Sequence, residues 1–143
     1  MANIVHYFPI SADLSRVFEA ISEPAGLDTW WTKRSAGEPK EGAEYELYFS
    51  DDHNWRTVVS RCVPQTEFEL QLTDADEDWR GTKVGFVLEE NDGITQARFH
   101  HSDWPEANDH YQVSCYCWAM YLRLLKQHLE NGKFVPYEER LKA

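Results

Sequence analysis

Little in this sequence would anchor it in a membrane, staple it or make it basic. No apolar run approaches the ~20 residues that cross a bilayer, so membrane insertion is not expected. The opening Met1-Ala2-Asn3-Ile4-Val5-His6 lacks the basic and continuous apolar regions of a secretory leader, and the expected location is cytoplasmic. Three cysteines, an odd number without framework spacing, suit a reducing compartment better than a disulfide scaffold. Bases are scarce: 14 Lys and Arg stand against 25 Asp and Glu, for a formal net charge of −11. That balance repels phosphates and anionic headgroups, so neither nucleic acid nor a membrane surface is an expected partner. The seven glycines are scattered at turns, not gathered into a phosphate-cradling loop, and no Gly-x-Ser-x-Gly nucleophile element occurs.

Aromatic residues, by contrast, are abundant. They make up 14% of the chain, with six Trp, more than a minimal core needs, and some are expected to line a pocket or an interface. At 143 residues the chain suits one domain, residues 1–143, able to bury ~68–70% of its unfolded surface. Asn3 to Ile10 reads as a first strand ending at Pro9. Ser11 as N-cap then opens a helix with the stripe Leu14, Val17, Phe18 and Ile21, which Pro24 ends. Pro24 to Trp31 reads as a second short helix whose Trp30 and Trp31 reach opposite ways, followed by a loop from Gly37 to Gly42.

From Ala43 the period changes to two. Tyr45, Leu47 and Phe49 alternate with polar neighbours, as do Phe68, Leu70 and Leu72, with Asn54 to Val63 a further strand between them. Val84, Phe86 and Leu88 lead through an Asn91-Asp92-Gly93 hairpin turn to Thr95, Ala97, Phe99 and His101. The acidic run Asp74-Ala75-Asp76-Glu77-Asp78 reads as a solvated connection, with Trp79 after it on the surface.

The chain closes on a long amphipathic helix stopped by Gly132. Val113, Cys117, Met120, Leu124 and His128 lie on one side, flanked by Trp118, Tyr121, Leu122, Leu125 and Leu129, in an apolar arc of roughly 200°. A helix that wide must lie against something concave. The order predicts an α+β fold: a curved antiparallel sheet of about six strands wrapped around the terminal helix, with two short helices after strand one.

Several of these pieces recur together elsewhere. Ile10-Ser11-Ala12 leading into Val17-Phe18-Glu19-Ala20-Ile21, Pro24, Leu27 with the Trp30-Trp31 pair, Gly42, Val59, Pro64, and the ending Trp118 to Lys126 with Leu129-Glu130-Asn131-Gly132 resemble the START-like, or Bet v 1-like, helix-grip superfamily. Within it the chain is similar to the activator of Hsp90 ATPase homologue 1-like family, over essentially its whole length. The resemblance implies a helix-grip fold with an apolar cavity between sheet and helix, and a role as small-molecule carrier, cyclase or co-chaperone domain; fold alone does not choose. Where such proteins usually carry Gly before the helix Trp, this chain has Cys117, expected to narrow the cavity.

His100-His101-Ser102-Asp103, His110, Cys115 and Cys117 form the densest group of metal-ligating types. Adjacent strand residues face opposite sides and the two cysteines diverge by about 200° on a helix, so no metal is expected, and no cofactor. His101, in phase with Phe99, is expected to face the cavity, where it orients a ligand or works as acid or base. His128 sits in the last helical turn, where the dipole favours a cation. The leading expectation is a binder of a small, largely apolar ligand with no catalytic residue, its pocket lined by Trp30, Trp55, Phe86, Phe99, His101, Val113, Cys117 and Tyr121. A second is an interaction module for a chaperone or other protein, and a homodimer is compatible with either. A third is a cyclase- or hydratase-like enzyme using His101 with Asp103 or Tyr121.

Overall fold

A computed structural model describes residues 2–142. Strand β1 (Ala2–Ile10) is followed by helices α1 (Leu14–Ser22) and α2 (Pro24–Leu27), then by strands β2 (Arg34–Ala36), β3 (Glu44–Ser50), β4 (His53–Val63), β5 (Glu67–Asp74), β6 (Lys83–Asn91) and β7 (Ile94–Trp104). Helix α3 (Asp109–Asn131) and a 3₁₀ helix (Tyr137–Lys142) complete the chain. The seven strands form one antiparallel sheet in the order β1-β7-β6-β5-β4-β3-β2. The strand beyond the expected six is β2, whose three residues are too short to show an alternation.

Local chemistry explains the joints. Asp92 and Gly93, both at positive φ, make the tight β6–β7 turn that matches strand twist. Helix α1 is capped by Asp13, whose carboxylate accepts from the Arg16 N–H, rather than by Ser11. The Ser11 N–H instead donates to Glu130 at the far end of α3. Asn108 caps the start of α3 and Gly132, at φ 68°, ends it in a left-handed turn.

The helix is held across the edge strand. Tyr111 Oη donates to the Asn3 carbonyl, and Lys126 Nζ donates to the Pro9 carbonyl, so α3 covers polar groups that an edge strand would otherwise expose. Its buried line is Ser114, Trp118, Leu122, Leu125 and Leu129; Leu124, also buried, lies off this line, on the side of Cys117 and Met120. That line is rotated by about 120° from the meridian through Val113, Cys117 and Met120, taking 100° per residue. Val113, at 59% exposure, and Tyr116, at 80%, face outward. The apolar arc is wide because it serves two surfaces, a buried face and an exposed one. No helix among the described residues is long and apolar enough to cross a membrane.

Candidate functional site

Aromatic rings crowd the space between sheet and helix. Trp30 and Trp31 follow the short α2, and instead of reaching opposite ways both turn inward and stack at 5.9 Å. The Trp30 indole donates to the Ala20 carbonyl, pinning α1 to the core. Phe86 and Phe99 pack edge to face at 5.2 Å, and Trp118 of α3 sits 4.5 Å from Phe99. Gly26 lets α2 close on α1, because a Cβ there would lie 2.3 Å from the Glu19 carbonyl oxygen.

Beside this core an aromatic cleft opens to solvent, with a volume of about 190 Å³, between α3, the β3–β4 hairpin and the 3₁₀ helix. Trp31, Phe49, Trp55, Trp79, Tyr121 and Tyr137 line it, with Ser50 and His53 at the rim. Its wall closes on itself: ring centroids run Trp31 to Phe49 at 5.6 Å, Phe49 to Trp55 at 4.9 Å and Trp55 to Trp79 at 4.8 Å, returning through Trp118 at 5.9 and 5.1 Å. Alternation on β3 and β4 aims Phe49 and Trp55 at it. Burial lifts the Tyr121 phenol to about 12, so it meets a ligand as a neutral donor. At the rim the Ser50 hydroxyl lies 3.1 Å from His53 Nδ1, and His53 Nε2 lies 3.6 Å from Asp76.

Tyr137 reaches the cleft because Arg140 holds its segment down. The guanidinium is buried and donates to the carbonyls of Val135, Thr32 and Asp28, and burial pulls its pKa below the ordinary arginine value. Nothing in the sequence around a C-terminal Arg marks it as buried.

Of the residues expected to line a pocket, Trp55 and Tyr121 stand on the cleft, while Trp30, Phe86 and Phe99 lie behind it in the core. Val113 is on the outer surface, a correction that follows from the rotation of α3. Cys117 is corrected likewise: it opens onto an outer groove of about 390 Å³ with Tyr116, Met120 and Leu141, so it does not set the size of the cleft. Trp79 is the converse case. Read as a surface residue, it is only 9% exposed, because the acidic connection folds over the sheet end and carries its ring inward. Phe49 was visible in the alternation of β3; Trp79 and Tyr137 were not marked by any periodicity.

His101 is fully buried among Trp79, Trp104 and Trp118. Its Nδ1 accepts from the Trp118 indole at 3.0 Å, and its Nε2 lies 2.8 Å from the Thr82 hydroxyl, which spends its own proton on the Trp79 carbonyl. The network therefore assigns a neutral imidazole protonated at Nε2. Burial first, and the nearby His100 and His110 next, hold its pKa down at about 3. Both nitrogens being engaged, His101 reaches neither Asp103 nor Tyr121, and the pairings expected of an enzyme are not formed. His100 turns to the opposite sheet face, where Nε2 meets Glu69 at 3.1 Å, and His110 pairs with Asp78 at 3.0 Å. Among the described residues no three metal-ligating side chains converge.

The chain belongs to the activator of Hsp90 ATPase homolog 1-like protein family, whose model matches residues 11–130. Among solved structures it is similar to the Aha1 dimer of Colwellia psychrerythraea, with 31% identity, 93% of this chain and 99% of that one covered, and a TM-score of 0.83. SSP2350 of Staphylococcus saprophyticus, 18% identical over 94% of this chain and 96% of that, has a TM-score of 0.77. CalU16 of Micromonospora echinospora, 18% identical over 98% and 83%, has a TM-score of 0.72. These last two share the fold. No curated protein matches the chain in sequence.

Proposed function

We propose that the protein binds a small, largely apolar aromatic ligand in the cleft between α3, the β3–β4 hairpin and the 3₁₀ helix. The observation that carries this reading is the closed circle of rings around Trp55 and Trp79, open to solvent on one side. Stacked or edge-on aromatic pairs contribute ~0.5–1.5 kcal/mol each beyond area burial, so a flat ligand gains specificity as well as transfer energy here. In equilibrium dialysis with 2-ethylnaphthalene, Trp55→Ala and Tyr121→Ala should each weaken binding by about tenfold, the equivalent of one lost aromatic contact and its buried area. Unchanged affinity in both variants contradicts the proposal.

A second reading, that the chain is an interaction module, is favoured by the outer face of α3. Val113, Tyr116 and Leu141 are large apolar residues left exposed there, and the Colwellia relative was solved as a dimer. A second copy, or a chaperone of the kind the family description names, would cover that face. Light scattering after size exclusion separates these outcomes: a dimer in the native protein that Tyr116→Glu turns into monomer supports self-association. A native monomer contradicts it.

A further inference from the structure

We infer that the gap between β1 and the middle of α3 is a second binding site, one that takes a small organic carboxylate through the guanidinium of Arg123. Helix α3 is tied to the edge strand at two places, by Tyr111 to the Asn3 carbonyl and by Lys126 to the Pro9 carbonyl. Between the two ties, strand and helix stand apart. The space left has a volume of about 230 Å³, walled by His6, Tyr7 and Phe8 of β1 and by Ala119 and Leu122 of α3, with Arg123 and Lys126 supplying its charge. Leu122 is buried and Phe8 half-buried, so the inner wall is apolar. The gap shares no residue with the aromatic cleft, and the inference stands apart from the reading given for that cleft.

Acids outnumber bases 25 to 14 in the chain, yet the lining of this gap carries Arg123 and Lys126 and no acid. The two cations are not equally committed. Lys126 already donates to the Pro9 carbonyl and, at 2.9 Å, to Glu130, whose carboxylate also accepts from the Ser11 N–H. Arg123 forms no ion pair and no side-chain hydrogen bond with any of the described residues. A guanidinium only donates, through a planar fork that matches the two oxygens of a carboxylate, so its complement is an anionic acceptor of that shape. A monoanion suits the site better than a phosphate dianion, because the net charge of −11 opposes each negative charge brought to the surface. The same field argues against a second copy of the chain as the occupant. An apolar cavity of about 150 Å³ takes benzene, so this volume admits one ring or a short alkyl chain with the carboxylate attached.

The test compares 3-phenylpropanoate with its neutral isostere 3-phenylpropanamide, in ¹H–¹⁵N NMR titrations of the native protein. The carboxylate should bind about fivefold more tightly, as one partly exposed ion pair allows, and should move the backbone amides of Tyr7 and Phe8. Arg123→Gln, a change at an exposed side chain, should bring the two affinities together. Raising the ionic strength from about 0.01 M to about 1 M, which shortens the Debye length from about 30 Å to about 3 Å, should do the same in the native protein. Trp55→Ala should leave the preference as it was, since that ring lies outside the gap. Equal binding of the two probes, no binding of the carboxylate, or a preference that survives Arg123→Gln overturns the inference. So do shifts centred on Tyr116 and Leu141, because Arg123 also borders the outer groove of α3, and so does a preference lost in Trp55→Ala. An overturned carboxylate site leaves the response of the cleft to 2-ethylnaphthalene untouched, so the two readings fail separately.

Discussion

At the scale of single residues, the side chain that ties the most elements together behind the cleft is His101. His101 joins β7 to α3 through Trp118 and to the Trp79 turn through Thr82, and only the neutral ring can accept from the Trp118 indole. Its pKa is lowered from the ordinary 6.5 to about 3, so the unfolded chain binds a proton that the folded one refuses across that window. The sign follows directly: the stabilisation is complete above about pH 6.5 and is lost as the pH falls toward 3. Between pH 7 and pH 5 this one group should remove about 2 kcal/mol from the unfolding free energy, at 1.36 kcal/mol per pH unit below 6.5. Urea melts at the two pH values check the loss, and the His101 imidazole nitrogens should show no titration by NMR down to pH 5. An imidazole that titrates near 6.5 contradicts the network. Glu69 acts in the same direction at lower pH: hydrogen bonding to His100, then to Ser60, holds its carboxylate below the usual range, so its share is present above about pH 4.5 and is lost on further acidification. Of all this the sequence showed only that His101 is in phase with Phe99. The phase put it inside; whether an inward histidine meets ligand or a Trp depends on residues 17 and 19 positions away, which no local pattern encodes.

At the scale of elements, α3 shows why an apolar arc is easier to find than its centre. Counting apolar residues placed the meridian near Met120, since Val113, Cys117 and Leu124 add weight there. The buried line instead follows the largest side chains at i, i+4 and i+3 spacing: Trp118, Leu122, Leu125 and Leu129. Leu125, fully buried, should therefore cost on the order of 2–5 kcal/mol when replaced by Ala, by transfer and cavity terms. Val113→Ala should stay within about 0.5 kcal/mol, as surface substitutions do. Denaturant melts of the two variants decide between the meridians, and a reversed ranking would return the helix to the orientation read from the sequence. The β meander was legible strand by strand because each strand has one wet face and one dry face. The exception is β2, too short to alternate.

At the scale of the whole molecule, architecture and family were legible because the order of elements, the Trp30-Trp31 pair and the long terminal helix together span most of the chain, as does the family match over residues 11–130. The site was legible only in part. Trp55 and Tyr121 stand on regular elements whose faces can be counted, whereas Trp79 and Tyr137 are brought in by a turn and by a C-terminal segment that the buried Arg140 fixes. Rings crowd the interior between sheet and helix, and open space lies at the side, in the cleft, and along the outer face of α3. Those two places make separate demands. Ligand binding needs Trp55 and Tyr121 free to contact a guest, while self-association needs the Tyr116 face covered.

One measurement tells which of them takes the ligand. In two-dimensional ¹H–¹⁵N NMR of the native protein, each of the six Trp indole N–H groups gives its own signal, and Trp55 and Trp79 report on the cleft from inside its wall. Titration with 2-ethylnaphthalene is expected to move the Trp55, Trp79 and Trp31 indole signals saturably, with the backbone amides of Tyr116 and Leu141 unmoved. Shifts confined to Tyr116, Met120 and Leu141, or indole signals that stay in place at saturating probe, would contradict the cleft as the binding site.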